Sequence, residues 1–290
     1  MSDITSKRKY SILVGNDINS VSDSDKKTDW KSLLDSISAH FEINFDDSNS
    51  DELPYTLLFE KILSRTRCEE HELRTYICNY FSNLKKNSIH DLIPLINANN
   101  ILTTNYDYRI ESAFNFSPPG GLKSFFKDNL FKSYPVNDQS NIWHIHGEVL
   151  CQKSITIGFN EYIENAYELY SYKMNSEYDF VNRLWEQSED IYSWFDLFFL
   201  TDLYILGFNL RIEELTLWWL ISHRSKQKRA GIPNIPNKIT YFYPSEYNNA
   251  AVNLLNDLNI ITVPVENHKT DKDSYYKYIV KYILKEQNGA

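Results

Sequence analysis

The chain has 290 residues, 42% of them apolar, with 21 Tyr and 16 Phe and a formal net charge of −9. That length suits one large unit with a sizeable core, and that charge argues against a general nucleic-acid or membrane-surface binder. Cys68, Cys78 and Cys151 form no CxxC pair, which argues against a zinc ribbon or a disulfide framework and suits a reducing cytoplasm.

The opening MSDITSKRKYSILVG carries no apolar run of signal-peptide length, and no window reaches the ~18–20 apolar residues of a membrane span. Its last residues predict a strand near 10–15. TDWKSLLDSISAHF (28–41) predicts a helix with Thr28 as N-cap and Trp30, Leu33, Leu34, Ile37 and Phe41 along one face. Residues 54–98 read as two or three further helices. The stretch 45–98 is too long for a simple crossover and predicts a helical insertion. ILTTNYDYRI begins as a strand near 101–104 and turns helical through Tyr108, Ile110 and Phe114. NIWHIHG predicts a strand near 141–146, and SITIG another near 154–158. The aromatic stretch 160–200 predicts a second insertion or lid. DLYILG predicts a strand near 202–207, followed by an amphipathic helix in RIEELTLWWLISHR (211–224). The basic run HRSKQKRA (223–230) reads as a solvated helix end and loop. KITYFY (238–243) and NIITVPV (strand near 259–264) flank a helix-forming stretch, 246–257. DSYYKYIVKYILKEQ (273–287) is a closing helix.

Alternating strands and helices predict an α/β fold, with a doubly wound, mostly parallel Rossmann-like sheet in one unit spanning 1–290. Four of the eight glycines, Gly15, Gly147, Gly158 and Gly207, end short β-rich runs. Glycine there lets the backbone turn sharply and approach a bound group, so the four ends are expected to face one crevice.

LVGNDINS (13–20) aims backbone N–H groups at phosphates or is a plain turn, since it lacks GxGxxG. In TTNYD, Asn105 either caps the following helix or belongs to a site. In IWHIHGE, alternation puts His144 and His146 on one face and Trp143 and Ile145 on the other. Two such histidines can ligate a metal if further ligands join them, or one can act as a general base near pH 7. The other histidines (His40, His71, His90, His223 and His268) lie in helices, helix ends or loops. ILGFNLRIEE (205–214) reads as a phosphate or ribose cradle.

In order, the glycine loop, TTNYD, WHIHG and LGFNL resemble the sirtuin-like family over roughly residues 10–265. The likeness is greater to the bacterial sirtuin-like domains of antiviral defence proteins. The resemblance implies a sheet that binds NAD+. It implies that Asn105 positions the ribose or the attacking water, with Thr104 in the same motif, and that Asp107 contacts the nicotinamide amide. It makes His146 the general base. It gives the diphosphate to Gly15, Asn16, Asp17, Ile18 and Asn19, and the adenosine ribose to Gly207, Phe208 and Asn209. Breaking the nicotinamide–ribose bond passes through an oxocarbenium-like state, which a fixed amide and carboxylate can orient and an imidazole can assist.

The chain departs from the family where Gly-Ala-Gly is replaced by Gly15-Asn16-Asp17. Asp17 sets a negative charge against a diphosphate unless it holds a ribose hydroxyl. The Pro-Asp-Phe-Arg segment of deacylases is absent from SVSDSDKKTDW (20–30), as are four zinc cysteines. The expected activity is therefore NAD+ hydrolysis to nicotinamide and ADP-ribose, without zinc, by a cytoplasmic effector that depletes NAD+ in antiviral defence. The alternatives are a non-catalytic NAD+ or ADP-ribose-binding module, then an NAD-dependent protein deacylase. The family also implies an ATPase or other defence partner, or assembly as a homo-oligomer.

Overall fold

The structure is a computed structural model that describes residues 9–20, 28–43, 53–82, 84–119, 129–186, 188–231, 235–247 and 250–289. Its strands are β1 (Tyr10–Val14), β2 (Asn100–Thr103), β3 (Tyr134–Pro135), β4 (Asn141–His144), β5 (Asp202–Leu206), β6 (Ile239–Pro244) and β7 (Ile261–Val265). They form one sheet in the order β3-β4-β2-β1-β5-β6-β7. Every pairing is parallel except the short edge pair β3–β4. Apart from β3, the chain lays strands outward from β1 to one edge, then returns and builds outward to the other. This is the doubly wound order, and its switch point lies between β1 and β5.

The helices are α1 (Trp30–His40), α2 (Tyr55–Arg65), α3 (Glu70–Phe81), α4 (Ile93–Ile96), α5 (Arg109–Ala113), α6 (Phe159–Met174), α7 (Phe180–Glu186), α8 (Trp194–Leu200), α9 (Leu215–Arg229), α10 (Ala250–Asp257) and α11 (Lys272–Asn288). All five residues of β1 are buried, as expected of a parallel strand covered on both faces. Leu13, Leu102, Trp143 and Ile205 point to one face and pack against α6, α7, α8 and α9 through Leu169, Phe180, Phe198 and Leu220. Ile12, Val14, Ile101 and Tyr204 point to the other and meet Ile93, Ile96, Tyr276 and Ile279 of α4 and α11. The aromatic stretch 160–200 thus forms a layer of the sheet's main core.

Helices α1, α2 and α3 have a core of their own, including Leu34, Ile37, Phe59, Ile62 and Ile77. It joins the carboxyl ends of the strands through Tyr106, Ile155 and Ile157. This positions a helical roof over the strand ends. The start of the expected insertion, 45–52, lies outside the described residues, as do 21–27 and 248–249. No helix among the described residues is long and apolar enough to cross a membrane.

Four local expectations are corrected. The N-cap of α1 is Asp29, whose carboxylate accepts from Ser32 N at 2.9 Å, while the Thr28 carbonyl accepts from Asn16 Nδ2 at 2.8 Å. The expected strand at 154–158 is a 3-10 turn, Gln152–Ser154, and an unpaired extended stretch. Ile155 and Ile157 are buried beneath the roof, and the backbone polar groups there bond elsewhere. Arg74 Nη1 donates to Ile155 O, and the Tyr106 hydroxyl donates to Thr156 O. The helix expected from 211 begins only at Leu215, which leaves Arg211 and Glu213 in a turn and Glu214 as N-cap. In the basic run, Arg224 is fully buried and donates to Asn237 Oδ1 and O, so that part of the run is not solvated.

Candidate active site

The first and last of the four glycine turns, at Gly15 and Gly207, meet at the switch point. Gly15 N donates to Leu206 O at 3.0 Å, and Asp17 N donates to Gly207 O at 2.9 Å. A Cβ on Gly15 would lie 2.3 Å from Gly207 O and 2.5 Å from Phe208 Cα. Only glycine fits so close an approach. Gly207 has φ +62, the left-handed region. After Gly15 comes a single 3-10 turn, Asn16–Asn19. Asn87 Nδ2 donates to Ile18 O at 2.9 Å, and His90 Nε2 lies 3.0 Å from Asn19 Oδ1. Burial pushes His90 down to about 4, so it braces the loop as a neutral ring.

Asp17 does not point a bare charge at the crevice. Its carboxylate is held from α11 and the loop before it by His268 Nε2 (2.9 Å), Lys272 Nζ (2.7 Å) and the Tyr276 hydroxyl (2.6 Å). Despite burial, which acts the other way, these partners hold its carboxyl well below the usual range. The charge expected to oppose a diphosphate is compensated within the protein.

At the end of β2, Asn105 does not cap the following helix. The N-cap of that helix is Tyr108, and Asp107 Oδ1 accepts from Arg109 N, the first helical residue, at 3.0 Å. Arg109 also grips Asp107 through Nε and Nη2, each at 2.9 Å. Asp107 is thereby fixed as a buried, paired carboxylate. Asn105 Nδ2 lies 3.5 Å from Gly15 O, while its Oδ1 is buried without a hydrogen-bond partner among the described residues. A buried acceptor left unpaired costs about 1–3 kcal/mol, so the oxygen is a feature that a ligand would satisfy.

The strand expected to carry both histidines ends at His144, and His146 lies in the turn that follows, so the two do not share a strand face, and their environments differ. Both nitrogens of His144 are engaged: Nδ1 with Asn105 O at 2.8 Å and Nε2 with Glu111 Oε1 at 2.7 Å. Burial opposes its charge, but Glu111 wins and raises it to about 9. The direction of that shift fits an ion pair with Glu111. Among the described residues, no group of three or more His, Cys, Asp or Glu could hold a metal ion. The His146 ring makes no hydrogen bond to a described residue, and burial pushes it down to about 4. Its Nε2 lies 3.5 Å from Oε2 of Glu214.

Glu214 was not among the residues picked out from sequence. It sits at the N-cap of α9, and its buried Oε2 has no hydrogen-bond partner among the described residues. Burial, then the charge of Glu213, raises it to about 8. The sequence signal was the acidic pair Glu213-Glu214 beyond a glycine-ended strand.

These groups line a cavity of about 630 Å³ between the strand ends and the helical roof, a volume within the roughly 300–1,000 Å³ of small-molecule sites. Asn16, Asp17, Asn19, Thr104, Asn105, Asp107, His146, Gly207, Phe208 and Asn209 all reach it. Gly15 and Ile18 do not: Gly15 is sealed against Gly207 and Phe208, and the Ile18 side chain is fully buried in the core. The roof adds Trp30, Leu33, Tyr55 and Phe81, and the turn before α9 adds Arg211 and Glu214. Of the four glycines, Gly207 lines the crevice and Gly15 packs directly behind it. Gly147 follows His146 but packs on the Ser154 backbone with φ +89. Gly158 starts α6 beside Glu60 and Glu161.

The model of the SIR2-like domain family matches residues 99–260, more than half of the chain. The chain belongs to the SIR2-like domain family. No curated protein matches it. The matched span carries Asn105, Asp107, His146 and Glu214, whereas β1 and its glycine loop precede it. SIR2-like domains use NAD+, so membership of the family is compatible with NAD+-related activity. The residues present fit such a ligand in size and in Asn105 Oδ1, which has no hydrogen-bond partner among the described residues.

Proposed function

We propose that the protein is an NAD+ glycohydrolase, which uses water to release nicotinamide and ADP-ribose. The observation that carries this reading is the joint presence of Asn105, with its unpaired amide oxygen, and neutral His146 in one cavity at the switch point. Bound NAD+ supplies a cationic leaving group on a ribose. Asn105 Oδ1 is an acceptor for a ribose hydroxyl or the attacking water. His146 accepts the water's proton. Asp107, locked by Arg109, presents a fixed negative edge to the nicotinamide side. The roof residues Trp30, Leu33 and Phe81 exclude bulk water from the bond that breaks.

The alternative is a non-catalytic binding module, and the pairing of the Asp17 charge with His268 and Lys272 supports the hydrolase over it. A deacylase reading finds no support in the three cysteines, which form no CxxC pair. The family resemblance extends the proposal to NAD+ depletion in antiviral defence, working with a second protein such as an ATPase or as a homo-oligomer. The test is incubation of the purified chain with NAD+, with and without an acyl-lysine peptide, and quantification of nicotinamide and ADP-ribose. Turnover without peptide is expected. A strict peptide requirement would move the assignment to deacylation, and binding without turnover would move it to a module.

A further inference from the structure

The cavity holds a second ionisable group that the reaction outlined above does not use. Glu214 comes from the turn after β5, and His146 from the turn after β4, so the fold brings them together from separate strands across the crevice. Their nearest atoms, Oε2 and Nε2, are 3.5 Å apart, and neither has another hydrogen-bond partner among the described residues. Such pairs are often long in the absence of substrate and tighten when it binds. The groups around Glu214 are few: Tyr162 of α6, which donates toward it, Tyr106 at the end of β2, and Glu213 and Arg211 of its own turn. None of these supplies a cation in contact with the carboxyl, so His146 is its natural partner for a proton.

We propose that Glu214 is the positioning and charge partner of His146, so that the two act as one general base. The acid–base role rests on the NAD+-cleavage reading, while the pairing itself does not. With Glu214 ionised, His146 donates Nε2–H to it and keeps a lone pair on Nδ1. Nδ1 takes a proton from water as the water oxygen bonds to the ribose anomeric carbon. The glycosidic bond breaks, and nicotinamide leaves with its electron pair. The imidazolium, stabilised by the Glu214 carboxylate, then returns the proton to solvent. With Glu214 protonated the pairing reverses: the carboxyl donates to Nε2, the ring's own proton moves to Nδ1, and the base is blocked. Burial raises Glu214 to about 8, so this switch falls in an accessible pH range.

Two measurements test the proposal. The first is the imidazole 15N spectrum of His146, assigned by its loss in His146→Ala, followed from pH 6 to 10. The shifts should move with a midpoint near 8, as the ring changes tautomer, and this step should vanish in Glu214→Gln. A flat titration in the native protein, or an unchanged step in Glu214→Gln, would overturn the pairing whether or not NAD+ is cleaved. The second is nicotinamide release. The native rate should rise through the same midpoint. Glu214→Gln should lose that limb and on the order of 10²-fold in kcat, with KM little changed, and Glu214→Asp should recover part of the limb. Native cleavage with unaltered kcat and pH profile in folded Glu214→Gln would leave the hydrolase standing and refute the partnership. A native 15N step without any NAD+ turnover would keep the pairing and refute its catalytic use.

Discussion

His144 Nδ1 lies 2.8 Å from the carbonyl oxygen of Asn105, so the ring at the end of β4 holds the backbone of the residue at the end of β2. Its other nitrogen is closed by Glu111 of α5 at 2.7 Å. One strand pair therefore presents two histidines with opposite jobs. His144 is charged and braces the motif. His146, two residues on, is neutral and faces the cavity.

The brace makes a pH prediction. The folded value of His144, about 9, exceeds the unfolded value of roughly 6.5. A raised histidine contributes stability that is complete below the unfolded value and is lost as pH rises through the folded one. Glu111→Gln removes that contribution. Urea melts should therefore show native protein ahead of Glu111→Gln by up to roughly 3 kcal/mol at pH 6, with the gap closing between pH 6.5 and 9. Glu214 also titrates in part of this range, but it does so in both proteins and cancels in the difference. A gap independent of pH would mean that His144 is neutral. His144→Ala should cost more, about 3–5 kcal/mol, because Glu111 is then buried without a partner.

Gly15→Ala should damage the site from behind it. The added methyl would meet the Gly207 carbonyl at 2.3 Å and Phe208 Cα at 2.5 Å, both on backbone tied to the loop by hydrogen bonds. Relief requires β1 and β5 to part at the switch point. The expected cost is about 1–3 kcal/mol, with loss of NAD+ binding by calorimetry in the fraction that stays folded. Native-like affinity would show that the two turns need not touch.

The sheet was legible because each apolar run ends in a glycine or a polar turn and alternates with helical periodicity. The same cue misled at 154–158. SITIG has β-rich composition, but what buries Ile155 and Ile157 is the helical roof, and among the described residues no strand pairs with it. Asn105, Asp107 and His146 were legible because a strand giving way to polar residues is a local signal. The difference between His144 and His146 was not, because it depends on which carboxyl each meets, and Glu111 and Glu214 come from other elements. The partners of Asp17 were hidden for the same reason: His268 and Tyr276 are 251 and 259 residues away in sequence.

Asp17→Ala tests that long-range tie. The native carboxylate is held below its unfolded value of 3.8 by His268, Lys272 and Tyr276. Its contribution is thus fully present above pH 3.8 and disappears as pH falls toward the lower folded value. The variant should be less stable by about 1–3 kcal/mol at pH 7, with a difference that stays constant down to about pH 4 and shrinks below. NAD+ affinity should also fall, since the loop that begins at Gly15 loses its anchor on α11. Tighter binding would mean that the residual charge at Asp17 does repel the ligand.

Asn105→Ala and His146→Ala separate stability from activity. Most buried polar residues stabilise the protein through the bonds they make. Asn105 makes one long contact and leaves its Oδ1 unpaired, and His146 makes no side-chain hydrogen bond to a described residue. Removing an unsatisfied acceptor returns part of its desolvation penalty, so Asn105→Ala should melt within about 1 kcal/mol of the native protein, in either direction. NAD+ cleavage depends on the same atoms. Loss of a positioned acceptor or of a general base each costs on the order of 10²–10⁴-fold. Because an unpositioned water gains little from a base, and a positioned one gains little without it, the double variant should be hardly worse than either single one. Nicotinamide release measured beside a thermal melt for the three variants gives the answer. A large drop in stability would make Asn105 a structural residue, and strictly multiplicative losses would mean that the two side chains act at different steps.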